Sequence, residues 1–118
     1  GLYFGGTAFK KQRVIEKKQY KDAAINASHF MDVVTTSGVA TGCAAEINKI
    51  NDFRKAISET PLALASGISL DNAFEYSNVD CFMVATGINY EGDFYQIDHV
   101  KLSKLLNICR KIGLGETI

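Results

Sequence analysis

The 118-residue chain has one proline, no tryptophan, and no stretch near the roughly 18 apolar residues that a membrane-spanning helix requires. It carries no secretory leader pattern. Its three cysteines, Cys43, Cys81 and Cys109, are far apart and none belongs to a CxxC pair. That excludes a disulfide framework and fits reduced thiols, so a cytoplasmic chain is expected. Excess charge is also missing: thirteen basic residues balance thirteen acidic ones. A neutral chain lacks the electrostatic footprint of an extended nucleic-acid surface. The basic cluster Lys10, Lys11, Arg13, Lys17, Lys18 and Lys21 is interrupted by Glu16 and Asp22 and reads as a solvated loop and helix face. No zinc pattern, nucleophile elbow or dinucleotide fingerprint is present, so neither metal nor cofactor is expected. His29 and His99 have no partners at metal spacing.

What is present is apolar periodicity. Apolar residues make up 47% of the chain and charged ones 22%, an ordinary globular balance with material for one domain, expected over residues 1–118. Leu2–Phe4 and Thr7–Phe9 flank Gly5-Gly6 as a strand or strand end. Tyr20, Ala23, Ala24, Ala27 and Phe30 recur at spacings of three and four, an amphipathic helix within 16–30. Met31–Thr36 is a β-rich run, and Ile47, Ile50, Phe53 and Ile57 mark a second helix. Pro61 ends that unit. Leu62–Ser66 and Cys81–Thr86 are buried strands with a brief helix around Leu70–Tyr76 between them. Val100 to Ile112 builds a closing helix, stopped by Gly113. The near-continuous hydrophobicity of the strands is that of a parallel sheet. The order β-α-β-α-β-α-β-α predicts an α/β fold of four βα units with right-handed crossovers. Four units make either a small doubly wound sheet or half of an eight-fold barrel, which typically needs ~250 residues.

Three of the strands end in a hydroxyl residue and glycine: Ser37-Gly38, Ser66-Gly67 and Thr86-Gly87. Glycine allows the backbone to approach a ligand, and a helix start offers free N–H groups to an anion. Ser66, Gly67, Ile68, Ser69, Thr86 and Gly87 are therefore candidates for a phosphate cradle. The alternative is a pair of tight turns that need glycine for geometry alone. Ser69 is placed to cap the following helix. Thr36, Ser37, Gly38, Thr41 and Gly42, with Asn72, are candidate substrate contacts at the strands' C-terminal ends, or else parts of connectors. Lys10, just past the first strand, is the weak candidate for a catalytic amine; a solvated basic loop is the competing reading. Asp93 and Asp98 read as a turn residue and a helix N-cap.

These motifs, taken together, carry a resemblance. Val33-Val-Thr-Thr-Ser-Gly-Val-Ala-Thr-Gly42, the 46–57 helix, Pro61-Leu-Ala-Leu-Ala-Ser-Gly-Ile-Ser69, Phe82-Met-Val-Ala-Thr-Gly-Ile88 and Asp98-His-Val-Lys-Leu102 resemble the BtpA/SgcQ family. Members of that family resemble phosphate-binding (β/α)8 TIM barrels, and this chain is similar to the C-terminal half, strands five to eight. The resemblance implies that the two glycine turns of 61–88 follow the seventh and eighth strands, the barrel's phosphate position. It also implies a ligand that is a phosphorylated small molecule, a sugar phosphate or nucleotide-like compound. The family is associated with photosystem I biogenesis, and some members carry sugar- or nucleoside-metabolising labels. A non-catalytic assembly or biogenesis factor, or an inactive fragment of a larger barrel, is therefore the alternative to an enzyme domain. Cys43-Ala-Ala45 departs from the polar loop ending expected there. The chain opens in apolar sequence without Met, which fits a fragment, and half a barrel exposes two strand edges. Self-association, or pairing with a missing N-terminal half, is expected.

Overall fold

The computed structural model describes residues 1–9, 16–38, 45–93 and 95–115, apart from the side chain of Lys17. Lys10, Thr41, Gly42 and Cys43 lie outside the described residues. Four short strands, β1 (Phe4–Gly6), β2 (Val33–Thr36), β3 (Leu62–Leu64) and β4 (Cys81–Phe82), form one sheet in the order β1-β2-β3-β4. All three pairings are parallel. The helices are α1 (Tyr20–Ser28), preceded by a 3-10 turn at Lys17–Gln19, α2 (Ile47–Ile57) and α3 (His99–Gly113). Two more 3-10 turns occupy Ala73–Tyr76 and Thr86–Ile88.

Sequential order without reversal separates the two topologies left open by the sequence. A doubly wound sheet reverses its strand order at a switch point, whereas a barrel adds each parallel strand beside the last. Here α1 packs on α2, α2 on the 73–76 turn, and that turn on α3. The arrangement is that of part of a (β/α) barrel, and the sheet is not closed.

Alternation along the strands explains the two faces. Val34, Leu62 and Leu64 belong to the main apolar cluster with Ala24 and Ala27 of α1, Ile50, Phe53 and Ile57 of α2, and Leu105 of α3. The other face carries the register-matched row Gly6, Thr35, Ala63 and Cys81. Phe9 covers that row at Gly6, where an added Cβ would come within 3.3 Å of its ring. Thr35 is buried there, and its hydroxyl has no hydrogen-bond partner among the described residues.

Several elements are shorter than the sequence predicts: the strand expected over Leu62–Ser66 spans Leu62–Leu64, and α1 stops at Ser28, leaving Phe30 outside it and exposed. The run Cys81–Thr86 pairs only at Cys81 and Phe82, followed by one further bond from the Met83 N–H to the Leu64 carbonyl. Strand β3 ends at Leu64, so apolar sequence in 83–86 has no partner strand with which to extend the ladder. The predicted helix after β3 is a single 3-10 turn starting at Ala73 rather than near Ser69. Asn72 is the reason. Its Oδ1 accepts from the Ser69 N–H at 2.9 Å and its Nδ2 donates to the Gly67 carbonyl at 2.7 Å, which closes residues 67–72 into a turn.

The N-terminal ends of the strands form a separate tie. Asp80 Oδ2 accepts from Arg54 Nη1 at 2.8 Å and from the Leu62 N–H at 2.9 Å. Arg54 also donates to the carbonyls of Ser58 and Thr60, so one guanidinium stops α2 and anchors β3.

Candidate functional site

The C-terminal ends of the strands hold two groups of the sequence-predicted residues. Around β3 and β4, Ser69, Thr86 and Gly87 line a cleft of about 400 Å³ completed by Asn89–Asp93 and Lys101. The two glycine turns meet beside this cleft, although Ser66, Gly67 and Ile68 are not among the residues that line it. A Cβ on Gly87 would stand 2.0 Å from the Ile68 carbonyl oxygen, so only glycine lets the two backbones lie this close. Gly67 has φ +70, the left-handed region in which glycine is favoured. Geometry therefore requires both glycines, whatever binds.

Several candidate donors already have partners. The Ser69 N–H is held by Asn72, and Ser69 Oγ accepts from the Asp71 N–H at 3.3 Å. Ile68 is buried in the core. Asn72, a candidate ligand contact, uses both ends of its amide inside the turn. Thr86 is exposed at the cleft, and its carbonyl accepts from the Asn89 N–H.

Ser66 goes with the second group. Its Oγ accepts from the Gly38 N–H at 2.8 Å, which joins the end of β3 to the loop after β2. Thr36 Oγ1 donates to the Ala8 carbonyl at 3.2 Å, and Ser37 Oγ donates to the Gly38 carbonyl at 2.8 Å. Thr36, Ser37, Gly38 and Ser66 are thus gathered at the ends of β2 and β3, all buried.

Two lysines were not identified by sequence reasoning. Lys101, in the first turn of α3, lines the cleft and donates from Nζ to the Asn89 carbonyl at 2.9 Å. Asp98 caps that turn, accepting from the Val100 and Lys101 N–H groups, as its position in the sequence predicts. Asp93 also fills its expected role, accepting from the Tyr95 and Gln96 N–H groups. Lys49 of α2 is buried beneath the ends of β1 and β2. Burial lowers its pKa from 10.5 to about 8, although nearby Glu46 acts in the opposite direction. The apolar period of α2 gives no hint of this, because Lys49 falls between Ile47 and Ile50 as an ordinary flanking cation would. Lys101 had one available signal, its place within the Asp98–Leu102 motif.

Among the described residues no group of His, Cys, Asp and Glu could hold a metal ion, and no helix is long and apolar enough to cross a membrane.

The fold and this end of the sheet define a class: a parallel α/β protein whose open sheet is consistent with part of a (β/α) barrel, with a cleft at the C-terminal ends of β3 and β4. Within that class, a family model for the BtpA family matches residues 7–111, and the chain belongs to that family. No curated protein and no solved structure matches it significantly.

Proposed function

We propose that the chain binds a phosphorylated small molecule, a sugar phosphate or nucleotide-like compound, in the cleft at the ends of β3 and β4. The observation that carries the reading is the meeting of the two glycine turns beside a cleft with Lys101 on its wall. A lysine ammonium and close-approaching backbone suit a phosphate group. Glu91 and Asp93 on the same wall disfavour a bare anion and suit the hydroxyls of a sugar carried behind the phosphate. The proposal is one of binding and assigns no reaction.

Titration with ribose 5-phosphate and with inorganic phosphate, followed by the amide resonances of Gly67 and Gly87, tests it. Saturable shifts are expected, with Lys101→Met weakening the sugar phosphate at least about ten-fold, the scale of one lost charge-assisted contact. No shift with either probe at millimolar concentration would falsify the reading. A non-catalytic assembly role is the second reading. The apolar residues exposed at the two ends of the sheet, Leu2, Tyr3 and Phe4 at one and Met83 at the other, favour it.

A further inference from the structure

Lys49 makes contacts that neither the family resemblance nor the cleft accounts for. The residue is 7% exposed, and its Nζ donates to the Ala8 carbonyl at 2.6 Å and to the Ser37 carbonyl at 2.7 Å. Ala8 follows β1 and Ser37 follows β2, so one amine from α2 spans the exits of two neighbouring strands. The rings of Tyr20 and Phe53 lie 5.6 and 5.9 Å from Nζ and close the site from the helix side. Ala8 holds φ +48, an unfavourable region for a residue with a Cβ. Its carbonyl receives a second donor, Thr36 Oγ1. A strained residue persists only where its surroundings over-determine it. Two donors on one carbonyl, one of them a buried amine, provide that.

We infer that Lys49 is a positioning residue for the C-terminal face at β1 and β2, setting the exit of β1 and the Ser37-Gly38 loop relative to each other. It acts from beneath, through two backbone carbonyls. The inference rests on reading the strands' C-terminal ends as the ligand-binding face; its test needs no ligand.

Four backbone amides provide the readout. The Thr7 N–H donates to the Thr35 carbonyl and the Gly38 N–H to Ser66 Oγ, beside the two exits. The Asp80 N–H donates to the Leu62 carbonyl and the Met83 N–H to the Leu64 carbonyl, away from them. In Lys49→Met, hydrogen exchange at Thr7 and Gly38 is expected to accelerate about ten-fold or more relative to Asp80 and Met83, with Lys49→Arg recovering part of the protection. Uniform acceleration of all four amides would make Lys49 a merely stabilising residue and overturn the inference, as would no acceleration at all. Should Lys49→Met not fold, the wild-type chain carries the test. The Nζ hydrogens of Lys49 are expected to exchange slowly enough to give an ammonium resonance coupled to the Ala8 and Ser37 carbonyls. An Nζ averaged with solvent overturns the inference. Ribose 5-phosphate titration of the wild-type chain reports separately on the β3–β4 cleft, so either reading can fail without the other.

Discussion

Gly87 illustrates how a residue chosen for ligand chemistry can be fixed first by packing. A Cβ there would meet the Ile68 carbonyl oxygen at 2.0 Å, and a backbone atom cannot swing aside as a side chain can. Gly87→Ala is expected to lose about 1–3 kcal/mol in denaturant unfolding, the usual range for overpacking. Gly5→Ala is the control: its obstructing atoms belong to the flexible Met31 side chain, so it should lose less. For the same reason, substituting Gly87 is a poor test of phosphate binding and Lys101→Met a better one. Lys49 yields a pH prediction. With a folded pKa of about 8 against 10.5 unfolded, the unfolded chain binds more protons between those values. Lys49 therefore raises stability as pH climbs through that window and contributes no slope below it. A neutral amine retains two N–H donors, enough for both carbonyls, so deprotonation relieves the cost of burial without breaking either bond. Glu46 and Tyr20 are the titratable neighbours. Cys109 and Tyr76 act oppositely. Burial raises both their pKa values, so each lowers stability above its ordinary value of 9.0 or 10.0. The difference between wild type and Lys49→Met, followed from pH 7 to 10.5 by chemical denaturation, cancels those two, and its upward slope should begin near pH 8.

At the scale of elements, the alternation of strands and helices was legible because the strands are apolar runs and the helices have apolar faces. Strands β2 and β3 are fully buried, whereas β4, where a buried strand was expected, is only half-buried. Helix α2 matches its predicted core at Ile50, Phe53 and Ile57 but leaves Ile47 exposed, and α3 buries Leu105 while Val100 and Leu106 of its predicted face are exposed. Strand lengths were not legible, because pairing ends where the neighbouring strand ends, at Leu64 of β3, and not at any signal in Val84 or Ala85. The missing helix at Ser69 was hidden in Asn72, whose amide can close a turn as readily as face a ligand. Half of the cleft could be read: the serine, threonine and glycine turns signal close backbone approach, whereas Lys101 and Lys49 look like surface cations until the fold sets their neighbours. The opposite ends of the strands belong to stability. Asp80 joins Arg54 of α2 to the first N–H of β3, and removing its carboxylate leaves both donors unmatched. Asp80→Ala is expected to cost about 1–3 kcal/mol in thermal or denaturant unfolding. Phosphate affinity of the folded fraction should stay within two-fold of wild type (roughly 0.4 kcal/mol). A large loss of affinity would instead place the two ends of the sheet in one coupled network.

For the whole molecule the sheet's order has a geometric consequence. Among the described residues, β1 and β4 each have a strand on one side only, and all four strands run parallel. A two-fold rotation about an axis along the strands preserves their direction. It would set β4 of one copy beside β1 of the next, and the same again on the far side. Head-to-tail closure of this kind satisfies both edges with the parallel pairing the sheet already uses. The side chains at these edges agree, since Leu2 and Met83 are 71% and 50% exposed and Tyr3 and Phe4 lie between strand and solvent. Open edges of this composition recruit other strands. The 12.9 kDa chain is therefore expected to run in light scattering at twice its mass or more. Phe4→Lys and Met83→Lys, one at each edge, should shift it toward the monomer, because an inserted charge must be desolvated for the edges to meet. A wild-type chain that scatters as a monodisperse 12.9 kDa particle at high micromolar concentration would mean that the edges are blunted within one copy. In that case the Lys substitutions should leave both mass and stability almost unchanged.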